Sequence, residues 1–205
     1  MEKKFEFINH ACIRFDFNGL ICYTDPYELK EGRNDADIIF ITHGHFDHYS
    51  IKDIFKIGKD DTIFVIPESV ITPELDEDSI IRVKPSHSYE MKGLKIETIP
   101  AYNINKAFHP VEEGWVGYLI EWNNVRYYIA GDTDITQENR QIKCDIAFVP
   151  VGGTYTMTSK EAAQLVNELN PKIAVPIHYG KVVGSLEDAK KFERMLDKEI
   201  KCEFQ

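Results

Sequence analysis

The chain has 205 residues, of which 43% are apolar and 28% charged, with a formal net charge of −10 at pH 7. That length fits one domain, or two closely packed halves sharing a core, and buries roughly 70% of the extended-chain surface without staples. An acidic field of this size repels nucleic acid and anionic lipid, so neither is an expected partner.

In chain order, the first element is a hairpin. Cys12 to Phe17 alternates in polarity, Asn18-Gly19 supplies two residues that tolerate positive φ, and Leu20 to Thr24 returns to a stop at Asp25-Pro26. The apolar run Ile38 to Ile41 reads as a buried strand. Ser50 reads as the N-cap of a helix beginning Ile51-Lys52-Asp53-Ile54-Phe55, and Thr62 to Ile66 as the strand after it. A pair of strands is expected at Ile80 to Val83 and Leu94 to Ile99, with Lys92-Gly93 turning before the second. Trp115 to Trp122 and Val125 to Ala130 flank a second hairpin signal, Asn123-Asn124. Asp145 to Val149 and Ile173 to Ile177 are short apolar strands. Between them Thr158-x-x-Glu161 is a capping box, and Ala162, Leu165, Val166 and Leu169 form one helical face that ends at Asn170-Pro171. A last helix is expected from Ser185, as its N-cap, through Leu196. Strands outnumber helices, and the pattern predicts an α/β layered domain with helices outside strand-rich layers.

The four cysteines, Cys12, Cys22, Cys144 and Cys202, form no C-x-x-C pair. Together with the lack of a signal-peptide-like apolar stretch at the N-terminus, they predict a reducing cytoplasm. No apolar run approaches the ~20 residues of a membrane span.

The strongest signal is "ITHGHFDHYS", residues 41–50, which places three of the seven histidines and an aspartate within six positions. Divalent metals bind neutral imidazole nitrogen and ionised carboxylate oxygen. In an extended segment side chains two apart point the same way, so His43 and His45 can face one ion, while Asp47 and His48 turn toward a second. Gly44 between the histidines is read as permitting a sharp backbone path. There is no G-x-S-x-G, P-loop or G-x-G-x-x-G.

His43-Gly44-His45-Phe46-Asp47-His48 resembles the H-x-H-x-D-H signature of the metallo-β-lactamase superfamily. Four further segments are similar: His10 in "INHACIRF", Asp25 in "YTDP", Asp132 in "IAGDTD" and His178 in "VPIHYG". The closest likeness is to the branch of ascorbate-6-phosphate-lactonase-like proteins and the N-acyl-phosphatidylethanolamine phospholipase D. The resemblance implies a four-layer αββα sandwich in a single domain over residues 1–205. It also implies two divalent ions, zinc foremost, with manganese, iron or nickel as alternatives. Asp132 is expected to bridge them and His178 to complete the ligand set of the second ion, so that Asp47, Asp132 and His178 carry the catalysis. Where relatives usually have a third histidine for the first ion, this chain has Asn103, and His109 six residues on is the preferred replacement. Asp25, Thr42 and His10 are candidates to support the ligands, and Asp134 either supports them or donates a proton. Tyr155 and Thr156 could reach substrate, Gly152-Gly153 is expected to permit a turn beside the site, and His87 is read as a turn residue.

The implied reaction is hydrolysis of an ester, lactone, amide or phosphodiester by water ionised at the metals, with no side-chain nucleophile. The expected substrate is a small molecule, anionic or carbonyl-containing. The alternatives are a nuclease or phosphodiesterase of the same fold and a non-catalytic metal-binding descendant. Oligomeric state is not readable.

Overall fold

The computed structural model describes residues 4–204, which form two β-sheets and three α-helices. The chain divides into two compact units, residues 1–83 and 84–205.

The first unit holds β1 (Phe5–Asn9), β2 (Cys12–Phe17), β3 (Leu20–Thr24), β4 (Ala36–Phe40), α1 (Ile51–Ile57), β5 (Gly58–Pro67) and β6 (Ile80–Val83). Its sheet runs in sequence order, antiparallel from β1 to β3 and parallel from β3 to β6. Asn18 and Gly19 close the β2–β3 hairpin with φ of 57° and 94°, the two positive values that a two-residue turn of matching twist needs. Ile13, Phe15, Ile38, Ile39 and Phe40 are fully buried. The parallel pairing sets Thr24 beside Phe40, so β3 and β4 release their C-terminal loops at one sheet edge. In open parallel sheets that edge is where ligands gather.

Ser50 stands at the start of α1, but its hydroxyl caps no backbone N–H. It donates instead to Asp53 Oδ2 at 2.8 Å. The same carboxylate also takes the N–H groups of Glu28 and Leu29 and the Lys56 ammonium.

The second unit holds β7 (Ser88–Met91), β8 (Leu94–Pro100), β9 (Val116–Trp122), β10 (Val125–Ile129), β11 (Ile146–Pro150), α2 (Ser159–Leu169), β12 (Ile173–Ile177), α3 (Leu186–Arg194) and β13 (Lys201–Cys202). The sheet order is β13-β12-β11-β10-β9-β8-β7, antiparallel from β7 to β10 and parallel onward. The strands expected at Ile80–Val83 and Leu94–Ile99 both form, as β6 and β8, but in different sheets. Lys92-Gly93 joins β8 to β7, while β6 lies parallel to β5 in the other sheet.

The capping box of α2 is complete, and Asn170 ends the helix in the left-handed region at φ 49°. Helix α3 ends at Arg194, before Leu196, and the hydroxyl of its N-cap residue Ser185 donates to the Asp188 carboxylate and accepts no helix N–H. The parallel strands again align their C-terminal ends, with Pro150 beside Ile177, and the segments bearing Asp132, Gly152 and His178 leave from there. All four cysteines are free. Burial pushes the Cys144 and Cys202 thiols up to about 12, which makes them inert packing groups. Among the described residues no helix is long and apolar enough to cross a membrane.

Candidate functional site

In the first unit the donors converge at the edge where β3 and β4 end. Asp25 is fully buried at φ 38°, a backbone state that Asp tolerates better than most residues. Its Oδ1 accepts from Thr42 N at 2.8 Å, and its Oδ2 accepts from the Thr42 hydroxyl at 2.7 Å and from His48 Nδ1 at 2.8 Å. The Thr42 hydroxyl has one proton and gives it to Asp25. Against His43 Nδ1, 3.0 Å away, it must therefore accept. Both His43 and His48 thus carry their proton on Nδ1, and their Nε2 atoms hold the lone pair when the ring is neutral. Fixing the tautomer through the remote nitrogen is how proteins orient a ligating imidazole.

His43 Nε2 lies 3.1 Å from His45 Nδ1, and the His43 and His48 rings are 4.0 Å apart. Asp47 Oδ2 is 3.7 Å from His48 Nε2 and 2.9 Å from His10 Nε2. His10 therefore serves a carboxylate, whereas Asp25 and Thr42 serve imidazoles. Gly44 does not use the left-handed region, and a Cβ there would meet Val70 at an ordinary 3.4 Å. The residues forced to positive φ are His10 at 48° and Asp25 at 38°. Strain of this kind, on the order of 1–3 kcal/mol per residue, persists where surrounding contacts over-determine a site.

In the second unit Asp132 Oδ2 lies 3.3 Å from His109 Nε2 and 3.1 Å from His178 Nε2, and all three residues are buried. Asn103 is not directed at this point. Its Oδ1 accepts from both His109 N at 3.1 Å and His109 Nδ1 at 3.0 Å, and its Nδ2 donates to Tyr155 O at 3.0 Å. Asn103 thus holds the His109 proton on Nδ1 and leaves Nε2 facing Asp132. Asp134 accepts from Ile104 N at 3.0 Å and pairs with Lys106, which fastens the segment between Asn103 and His109.

His178 sits at φ 59° directly after β12. A Cβ on Gly152 would lie 2.5 Å from His178 O and 2.8 Å from Val183, so only glycine lets that backbone approach so closely. Thr156 is fully buried, Tyr155 is half-buried, and His87 is an exposed turn residue with Nδ1 on Pro85 O at 2.8 Å. One contributor, Lys106, was not among the sequence candidates and had no motif to mark it. Gly152 was expected only to permit a turn beside the site, and its close approach to His178 O depends on two strand ends meeting.

Imidazoles with bonded Nδ1 atoms, carboxylates turned toward their Nε2 atoms and deep burial fit divalent-metal ligation in both units. With its proton held on Nδ1, His109 turns a lone pair toward an Asp132 oxygen, which is repulsive unless a proton or a cation intervenes, and a metal ion would satisfy Asp132, His109 and His178 at once.

The family model of the beta-lactamase superfamily domain matches residues 4–178. A UPF0173 metal-dependent hydrolase of Thermococcus onnurineus (strain NA1) is 31% identical, over 94% of this chain and 92% of that protein. Among solved structures, a Parabacteroides distasonis protein proposed as a metal-dependent hydrolase is 29% identical with a TM-score of 0.78, covering 97% of this chain and 90% of its own. A metallo hydrolase of Ignicoccus hospitalis also gives a TM-score of 0.78 at 22% identity, over 98% of this chain and 94% of its own, which speaks to the fold alone. The α/β fold is that of the metallo-β-lactamase sandwich.

Proposed function

Because the chain belongs to the beta-lactamase superfamily and, within it, to the UPF0173 proteins, we propose that it is a metal-dependent hydrolase that binds a pair of divalent ions. His43, His45 and His109 would hold one ion; Asp47, His48 and His178 would hold the other; Asp132 would serve both. Zinc suits this nitrogen and oxygen set best, and manganese, iron and nickel are also compatible with it. When bound, the ions supply Lewis acidity, lowering the pKa of water toward about 7 and polarising a carbonyl or phosphoryl oxygen.

The chain's own residues prepare that chemistry. Asp25, Thr42 and Asn103 keep imidazole protons on the remote nitrogens. His10 holds the Asp47 carboxylate, and Asp132 offers one oxygen toward two imidazoles. The Asp134 carboxylate is engaged by Lys106 and Ile104 N, which makes it a fastener of the His109 loop rather than the proton donor. A small-molecule ester, lactone, amide or phosphodiester is the proposed substrate class. The −10 net charge argues against nucleic acid. Free cysteines, two of them fully buried, support a reducing, cytoplasmic setting.

The observation that carries the reading is the Asp132 Oδ2 contact with two buried imidazole Nε2 atoms, one of which has its other nitrogen committed to Asn103. The test is a screen of lactones, phosphodiesters and acyl amides with zinc- or manganese-reconstituted protein, using Asp132→Asn as the control. Turnover that needs metal and disappears in the variant is expected. Equal rates with and without metal would count against the proposal.

A further inference from the structure

The segment between Asn103 and His109 is a closed loop. Asn103 N donates to His109 O at 2.8 Å, and His109 N returns a bond to Asn103 Oδ1 at 3.1 Å. Asp134 pins the loop from beneath through Ile104 N and the Lys106 ammonium. Lys106 is the loop's one cation, and its charge is neutralised by that carboxylate. Outward the loop presents Ile104, 57% exposed, Phe108, 46% exposed, and Ala107, with the uncharged Asn105 as its one exposed polar side chain. The Phe108 ring meets the Tyr155 ring edge-on at 4.7 Å, and the Tyr155 carbonyl is held by Asn103. Large apolar side chains on a fastened, charge-neutral loop mark a binding surface. In the first unit the same pattern recurs independently, with Phe46 65% exposed between His45 and Asp47 and edge-on to Tyr27 at 5.9 Å.

We propose that Ile104, Phe108 and Tyr155 form the platform for an apolar acyl chain, making the substrate a medium-chain acyl ester or lactone rather than a polyanionic sugar phosphate. This rests on the hydrolase reading. The platform is part of the loop that orients His109, and it offers no cation to an anionic tail. Hydrolysis there adds water across the acyl C–O bond and releases a carboxylic acid, which gives up its proton to solvent, and an alcohol.

The test uses zinc-reconstituted protein with p-nitrophenyl acetate, butyrate, hexanoate and octanoate, compared in wild type, Phe108→Ser and Ile104→Ser. Both replaced side chains are exposed, so folding, checked by thermal melting, should survive. Full burial of a methylene is worth up to about fourfold, and an open platform should give about twofold per methylene. Across the six added methylenes kcat/KM should therefore rise by about 60-fold from acetyl to octanoyl in wild type, and by much less in Phe108→Ser. Metal-dependent turnover without chain-length dependence, or with one that Phe108→Ser leaves intact, overturns the platform while the hydrolase reading stands. If no ester is turned over, calorimetric binding of octanohydroxamate against acetohydroxamate decides. Tighter binding of the longer chain that Phe108→Ser abolishes supports the platform, and equal binding overturns it.

Discussion

Replacing Asn103 separates a residue that orients a ligand from one that is a ligand. In Asn103→Ala two buried donors, His109 N–H and Nδ1–H, lose their common acceptor, and Tyr155 O loses its donor. Stranding a buried donor costs about 1–3 kcal/mol. The His109 ring can relieve its share by moving the proton to Nε2, so the expected loss of stability is about 2–4 kcal/mol. That relief places the proton on the nitrogen that faces Asp132, and metal affinity should fall by about 10–100-fold. Asn103→Asp keeps both acceptor contacts to His109 but sets a carboxylate oxygen against Tyr155 O, so it should lose stability while its metal affinity stays within about threefold of wild type. Urea unfolding of metal-free protein measures the first quantity, and competition with a chelator the second. The reasoning is refuted if Asn103→Ala removes a full equivalent of metal while His109→Ala retains both, or if Asn103→Asp loses as much affinity as Asn103→Ala.

Asp25→Ala should be more damaging. It strands the Thr42 N–H and the His48 Nδ1–H and places alanine at φ 38°, so a loss of about 3–5 kcal/mol is expected by denaturant unfolding, with weaker metal retention on dialysis. Gly152→Ala should lower the melting temperature by an amount equivalent to about 1–3 kcal/mol, because its Cβ has no room beside His178 O. Burial raises the Asp53 carboxyl, but Lys56, Ser50 and the Leu29 N–H outweigh it and hold the group below its usual range. A depressed carboxylate stabilises the fold above its unfolded pKa and loses that contribution as pH falls through its folded value. Asp53→Asn should therefore flatten the acid limb of a stability-versus-pH curve measured below about pH 4, and an unchanged limb would contradict the assignment.

What the sequence made legible was local. The His43–His48 cluster follows a buried strand within a few residues, and hairpin turns such as Asn18-Gly19 declare themselves through backbone chemistry. The capping box of α2 likewise needs only four consecutive residues. Non-local pairing was not legible. Strand β6 is apolar enough to pair with any neighbour, and its parallel partner β5 is reached through an irregular segment that carries no register signal. Strand β1 was missed because its five residues include a charged Glu6, and β13 because two residues make no periodic pattern. At the site, the sequence flagged Asn103 and His109 as alternatives. Only a loop closed by reciprocal hydrogen bonds shows them acting in series, with the amide holding the imidazole. Ser50 and Ser185 stand at the N-cap positions as read, but their hydroxyls donate to the carboxylates three residues on, Asp53 and Asp188, and make no cap bond to a helix N–H.

The most direct measurement is the metal content of protein purified without chelator, read by elemental analysis alongside the Asp132→Ala variant. The account predicts two ions per wild-type chain, a reduced number in the variant, and a melting temperature that rises when zinc or manganese is added to stripped protein. No bound metal, with a melting temperature indifferent to both ions, would contradict it.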